Sequence, residues 1–205
     1  MEDVLDLYAE LEDPLRPRVC FDERPCQLIS HVRKPIPAKP GQRPRYDYEY
    51  KREGTCNLFM FGRPHTGWRH VKVTERRTKQ DFAHCMKDLV DVHFPEAKII
   101  RVVLDNLNTH TLAALYETFE PAEAHRIARK LEFHFTPKHG SWLNMAEVEL
   151  AALSRQCLNR RIPDFITLQS ETAAWQAQRN AAQVVIDWCF NTDDARVKLK
   201  RLYPS

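Results

Sequence analysis

Two aspartates in this sequence stand at the ends of apolar runs, and a glutamate stands at the start of a helical pattern. Asp22 closes Val19-Cys20-Phe21 and is followed by Glu23, while Asp105 closes the near-continuous run Ile99 to Leu104 and is followed by Asn106. Ligands of open α/β sheets gather outside the carboxyl ends of the strands, so two buried strands that each deliver an acid there unite the acids if they are neighbours. Two carboxylates at a buried edge raise each other's pKa unless a cation lies between them. Oxygen-only ligation with open positions suits Mg²⁺ or Mn²⁺ rather than Zn²⁺. Glu147, in the first turn of a helix predicted over Leu143 to Cys157, completes a set of three acids that could hold two ions. Ions so held activate a water or hydroxyl for in-line attack at phosphorus and stabilise the leaving oxygen. Asp22, Asp105 and Glu147 are therefore the candidate catalytic and metal-binding residues.

Each acid also has a plainer reading. An Asp after a strand commonly caps the next turn or helix. Asn144-x-x-Glu147 fits a capping box, in which the glutamate only reaches back to the N-cap amide. Glu149 is the rival third acid, but two residues along a helix it points about 200° away, so only one of the pair can serve. Around these acids lie groups suited to phosphate: Asn106 and His110 after the second aspartate, and Lys138, His139 and Asn144 near the start of the Glu147 helix. Trp142 reads equally well as a core plug.

The elements that must position these groups follow from periodicity. Residues 1–17 are acidic, punctuated by proline and poor in apolar positions, and read as an arm or short docking helix outside the core. Asn57 to Phe61 and Trp68 to Val73 read as a hairpin, Thr78 to His93 as a helix, and Leu112 to Lys130 as a helix broken near Pro121. Leu131, Phe133 and Phe135 alternate with polar residues as a strand does. A further helix is predicted from Leu168 to Cys189, with Trp175, Val185 and Ile186 inward, and a last one over Asp193 to Leu202. Hairpin-linked strands followed by crossovers predict an α/β domain over 18–205: a mixed central sheet with helices on both faces.

Composition narrows the class further. At 205 residues and 43% hydrophobic the chain can bury one core, and no apolar run approaches the roughly 20 residues of a membrane helix. The six cysteines form no CxxC pair and read as reduced, mostly buried thiols. No Gly-rich P-loop, HExxH or GxSxG occurs. A soluble, cytoplasmic protein is expected. The net charge is only +3, yet the stretch from Arg33 to Gly54 holds seven Lys/Arg against three acids. That stretch, with Pro35, Pro37, Pro40 and Pro44, predicts an extended, basic insertion over 31–54 that carries Arg43 and Arg45 on the surface.

Read in order, VCFDE, VVLDNLNTH and FTPKHGSWLNMAEVE resemble the catalytic-core motifs of bacterial insertion-sequence DDE transposases of the mariner superfamily, from about Val19 to Pro204. The resemblance implies an RNase H-like fold with Asp22 and Asp105 as the two aspartates and Glu147 as the third acid. It implies a DNA transposase catalytic domain, dependent on two Mg²⁺ or Mn²⁺ ions, that cleaves DNA and transfers the freed 3′-hydroxyl into TA targets. The implied partners are element-end and target DNA and a second copy in a dimeric synaptic complex. Asn106, His110, Lys138, His139, Asn144, Arg43 and Arg45 then become candidate DNA contacts. The spacing between Asp105 and Glu147 is longer than usual for the superfamily, with the excess assigned to Phe119 to Arg129. The helix-turn-helix module that normally precedes this core has no counterpart here, which predicts a separate DNA-reading subunit. Two other expectations stay open: a stand-alone RNase H-like nuclease or resolvase, and a non-catalytic DNA-binding fragment of a split or decayed transposase.

Overall fold

A computed structural model describes residues 1–203 of the protein; the last two residues of the 18–205 domain, Pro204 among them, lie outside the described residues. Five strands, β1 (Arg18–His31), β2 (Tyr50–Arg63), β3 (Trp68–Thr74), β4 (Ile100–Leu104) and β5 (Leu131–Phe135), form one sheet in the order β3-β2-β1-β4-β5. The first three are antiparallel, and β4 and β5 add in parallel. This is the mixed sheet that hairpins followed by crossovers predict.

Strand alternation divides the apolar residues between two cores. Val19, Phe21, Phe59, Phe61, Val102 and Leu104 face α2 (Lys79–Asp88), α3 (Ala113–Thr118) and α4 (Pro121–Ala128). Cys20, Leu58, Met60 and Val103 face the opposite side, against α5 (Ala146–Gln156) and α6 (Phe165–Ala181). Thr78 caps α2 in a reciprocal box with Asp81, and a π-turn over Leu89–His93 carries the chain out of that helix. Pro121 opens α4 at its first position, where the missing N–H costs nothing.

Residues 1–17 do not stand apart from the core. They open with α1 (Glu2–Ala9), whose Val4, Leu5, Leu7 and Tyr8 are buried in the core on the α5–α6 side, with β5 and the last helix, α7 (Thr192–Lys198), as neighbours. The acids that make the segment look solvated are partners of arginines. Glu12 holds the buried Arg18 at 2.7 Å and Arg63 at 2.8 Å, and Glu10 holds the buried Arg101. Leu5→Ala should therefore cost about 2–5 kcal/mol, the usual range for emptying a fully buried leucine site. Urea unfolding of wild type and variant measures it, and a difference below about 0.5 kcal/mol would return α1 to the status of an arm.

Three further expectations change. The strand bearing Asp22 continues to His31, so Asp22 sits inside it; what ends there is the parallel pairing with β4, which stops at Cys20 and Val103. The helix expected to reach Cys189 stops at Ala181, leaving Val185 half exposed and Ile186 packed in a loop. Finally, α5 begins at Ala146, after a 3₁₀ turn over Ser141–Leu143.

Beyond Pro25 and Asn57, β1 and β2 leave the sheet as a two-stranded ribbon, bulged at Leu28/Ile29, which ends in residues 32–49. This tip is exposed almost throughout, Arg43 and Arg45 included, and is drawn together by an Ile36–Arg45 bridge. Arg161 fastens its base by donating to the Asp47 and Glu49 carbonyls, at 2.6 and 2.8 Å.

Candidate active site

β1 and β4 lie side by side, so Asp22 and Asp105 issue from adjacent strands at the same end of the sheet. Asp22 stands opposite Met60 and shares its face, the one covered by α5. There it lines a depression of about 210 Å³ with Glu147, Arg24, Leu150 and Ala151. Asp105 lines a second depression, of about 390 Å³, with Asn106, Lys138, His139 and Ser141. The structure thus joins Asp22 with Glu147, and Asp105 with the loops after β4 and β5.

The two glutamates of α5 separate cleanly. Glu147 is exposed at the mouth of the first depression. Glu149 is 3% exposed and bound to Arg69 at 3.0 Å and to Arg179 at 2.9 Å, on the far side of the helix. It is a structural anion with no free face. The capping box read from Asn144 and Glu147 does not form, because the residue before α5 is Met145, with helical backbone angles. Asn144 instead donates its amide to the Phe21 carbonyl at 2.8 Å, while its oxygen accepts from the Ala146 amide at 3.2 Å. It stitches the start of α5 to the residue before Asp22.

Buried at 1% exposure each, Asn144 and His110 are not available to DNA, which corrects their assignment as contacts. Asn106, Lys138 and His139 are exposed beside Asp105. The turn that carries them is tight: His139 has φ 62°, and a Cβ on Gly140 would lie 2.6 Å from the Pro137 ring. Such backbone constraint is typical of loops held in one functional shape. Trp142 is 44% exposed and stacks on Trp188, so it is not the core plug.

His110 holds a position that the sequence does not disclose. Its ring lies between two carboxylates, with Nδ1 2.7 Å from Asp105 Oδ1 and Nε2 2.9 Å from Glu23 Oε2. Both ring nitrogens face anions, and the imidazole is pushed up to about 9 against the opposing effect of burial. The same contact holds Asp105 below the usual carboxylate range. Glu23 follows Asp22 directly on β1. Period 2 sends it to the opposite face, which was the available signal.

Asp22 behaves in the opposite sense. Burial, with the charges of Glu147, Asp105 and Glu23, pushes its carboxyl up to about 7. Oxygen donors that repel one another in this way are the chemistry that suits a hard divalent cation. The three carboxylates do not close on one point, however. Among the described residues no three His, Cys, Asp or Glu side chains meet closely enough to share an ion. Asp22 and Glu147 share one depression, Asp105 lines the next, and Asp105 gives one oxygen to His110.

The raised Asp22 carboxyl can be tested through stability. An acid whose folded pKa lies near 7, against about 3.9 unfolded, binds extra proton in the folded state between those values, so stability falls as pH rises through that window. In chelator-treated buffer Asp22→Asn should be more stable than wild type above pH 7, by about 1–2 kcal/mol after discounting for partial exposure, and no more stable at pH 4. Equal urea midpoints at pH 8 would remove the repulsion from the account.

Residues 17–169 match the family model described as DDE superfamily endonuclease. The chain belongs to that family. This DDE superfamily endonuclease also resembles solved transposase structures. A Mos1 mariner paired-end complex with Mn shares 18% identity at TM-score 0.56, covering 88% of this chain and 55% of that one. A Mos1 paired-end complex with the left transposon end shares 16% at TM-score 0.55, covering 83% and 52%. The Mos1 strand transfer complex shares 13% at TM-score 0.58, covering 88% and 55%. These likenesses show a common RNase H-like fold. The endonuclease chain spans about half the length of the Mos1 chains it matches. No curated protein sequence matches it.

Proposed function

We propose that this chain is the catalytic domain of a DNA transposase, which cleaves element ends and joins the freed 3′-hydroxyl to target DNA. The observation that carries the reading is the convergence of Asp22 and Asp105 on adjacent strands, with Glu147 facing Asp22 from α5. Asp22, Asp105 and Glu147 would hold two Mg²⁺ or Mn²⁺ ions. Such ions lower the pKa of the attacking hydroxyl and stabilise the leaving oxygen. Lys138, His139 and Asn106 line the depression beside Asp105, where a cationic, hydrogen-bonding wall orients a phosphodiester. Arg43 and Arg45, on the stiff exposed tip of the ribbon, add backbone contacts that carry affinity without reading sequence. Choice of element end then falls to a separate DNA-reading module, and the working unit is a homodimer in a synaptic complex.

The test uses the purified chain, labelled duplexes with a recessed 3′-hydroxyl, and a plasmid target with Mg²⁺ or Mn²⁺. Expected are nicking and joined products. Binding to terminal-repeat and scrambled duplexes should be nearly equal and should weaken steeply with salt, as phosphate contacts require. Nicking without joining would make the chain a hydrolytic nuclease instead. No cleavage with either ion would leave it a DNA-binding fragment.

A further inference from the structure

We infer that His110, backed by Glu23, is a positioning residue that fixes the Asp105 carboxylate and reserves one of its oxygens for the imidazole. The inference rests on the active-site reading above, and it concerns residues that this reading leaves without a role.

The ring cannot swing. Phe82 stacks on it at 4.9 Å between centroids, and Phe21 meets it edge-on at 5.4 Å. Its backbone N–H donates to the Leu107 carbonyl at 2.9 Å, closing the loop that leaves Asp105. With Nε2 2.9 Å from Glu23, the Nδ1 edge has one orientation, and that edge faces Asp105 Oδ1 at 2.7 Å and the Asp105 carbonyl at 3.2 Å. Glu23 is itself 4% exposed on β1, and its backbone N–H donates to Asp22 Oδ1 at 2.8 Å. A line of contacts therefore runs from one aspartate to the other: Asp22, the Glu23 backbone and carboxylate, His110, Asp105. Asp105 is 41% exposed, so the imidazole takes its inner oxygen and the outer one remains for the site. The ring's carboxylate contacts are close charge pairs, and its hydrogen bond goes to the Asp105 carbonyl. Supporting contacts around ligating groups orient them, and losing one typically costs about 10–100-fold in metal affinity or activity.

Two isosteric substitutions separate positioning from packing. Asn presents an amide nitrogen where Nδ1 stands and keeps the Asp105 contact; Gln presents one where Nε2 stands and keeps only the Glu23 contact. Mn²⁺ binding to the full chain is measured by paramagnetic resonance, with thermal unfolding and cleavage on the same samples. His110→Gln should weaken Mn²⁺ affinity about 10–100-fold, and His110→Asn by less than about 3-fold, although both lose the ring and its stacking. Equal losses in the two variants, in step with their stability, would show a packing role and overturn the inference. So would wild-type affinity in His110→Gln while Asp105→Asn loses Mn²⁺. If wild type and Asp105→Asn bind Mn²⁺ alike, the active-site reading falls, and the role of His110 falls with it.

Discussion

Asp105→Asn should lower DNA cleavage by roughly three orders of magnitude while leaving the fold intact. The substitution keeps the shape of the side chain and removes one anionic ligand; a metal clamp supplies several kcal/mol of transition-state stabilisation, and each 1.4 kcal/mol is a factor of ten. Its effect on stability should differ from that of Asp22→Asn. Asp105 is compensated by His110, so neutralising it deprives the imidazole of a partner, and that loss offsets the repulsion it relieves at Asp22. The metal-free variant should be no more stable than wild type. A time course of supercoiled-plasmid nicking, beside urea unfolding in chelator, reads both quantities. Cleavage within threefold of wild type would end the catalytic role of Asp105.

The second large effect is a separation between neighbours on α5. Glu149→Ala should destabilise the protein by about 3–5 kcal/mol, because it strands Arg69, 1% exposed, without its counter-charge. Glu147→Gln should change stability by less than about 0.5 kcal/mol, since Glu147 is exposed, yet should reduce cleavage as severely as Asp105→Asn. Circular-dichroism melts and nicking assays on the two variants decide the matter. A folded, stable Glu149→Ala protein lacking cleavage, beside an active Glu147→Gln protein, would exchange the roles of the two acids.

An interior strand of the sheet, β4, was legible because burial on both faces writes continuous apolar runs, and Ile100 to Leu104 is buried at every position with Asp105 at its exit. Adjacency of the strands was also within reach, since crossovers leave few topologies. Other features could not be read because they depend on partners distant in sequence. The acids of residues 10–12 look solvated until Arg18, Arg63 and Arg101 are placed against them. The roles of Asn144 and His110 depend on Phe21 and Glu23, which no local pattern connects to them. Glu147 and Glu149 could be told apart by helical phase alone, but which faced the site required knowing where Arg69 and Arg179 lie.

The docking of α1 has a consequence for biosynthesis. Val4, Leu5, Leu7 and Tyr8 precede by more than 120 positions the elements that neighbour them, β5, the Leu143 turn and α7. Tyr8 donates its hydroxyl to the Leu143 carbonyl at 2.7 Å, a contact across 135 positions that joins this helix to the turn before Glu147. At roughly 5–20 residues per second, the apolar face of α1 stays uncovered for on the order of ten seconds or more during translation. Over that interval the nascent chain exposes a ready hold for a chaperone.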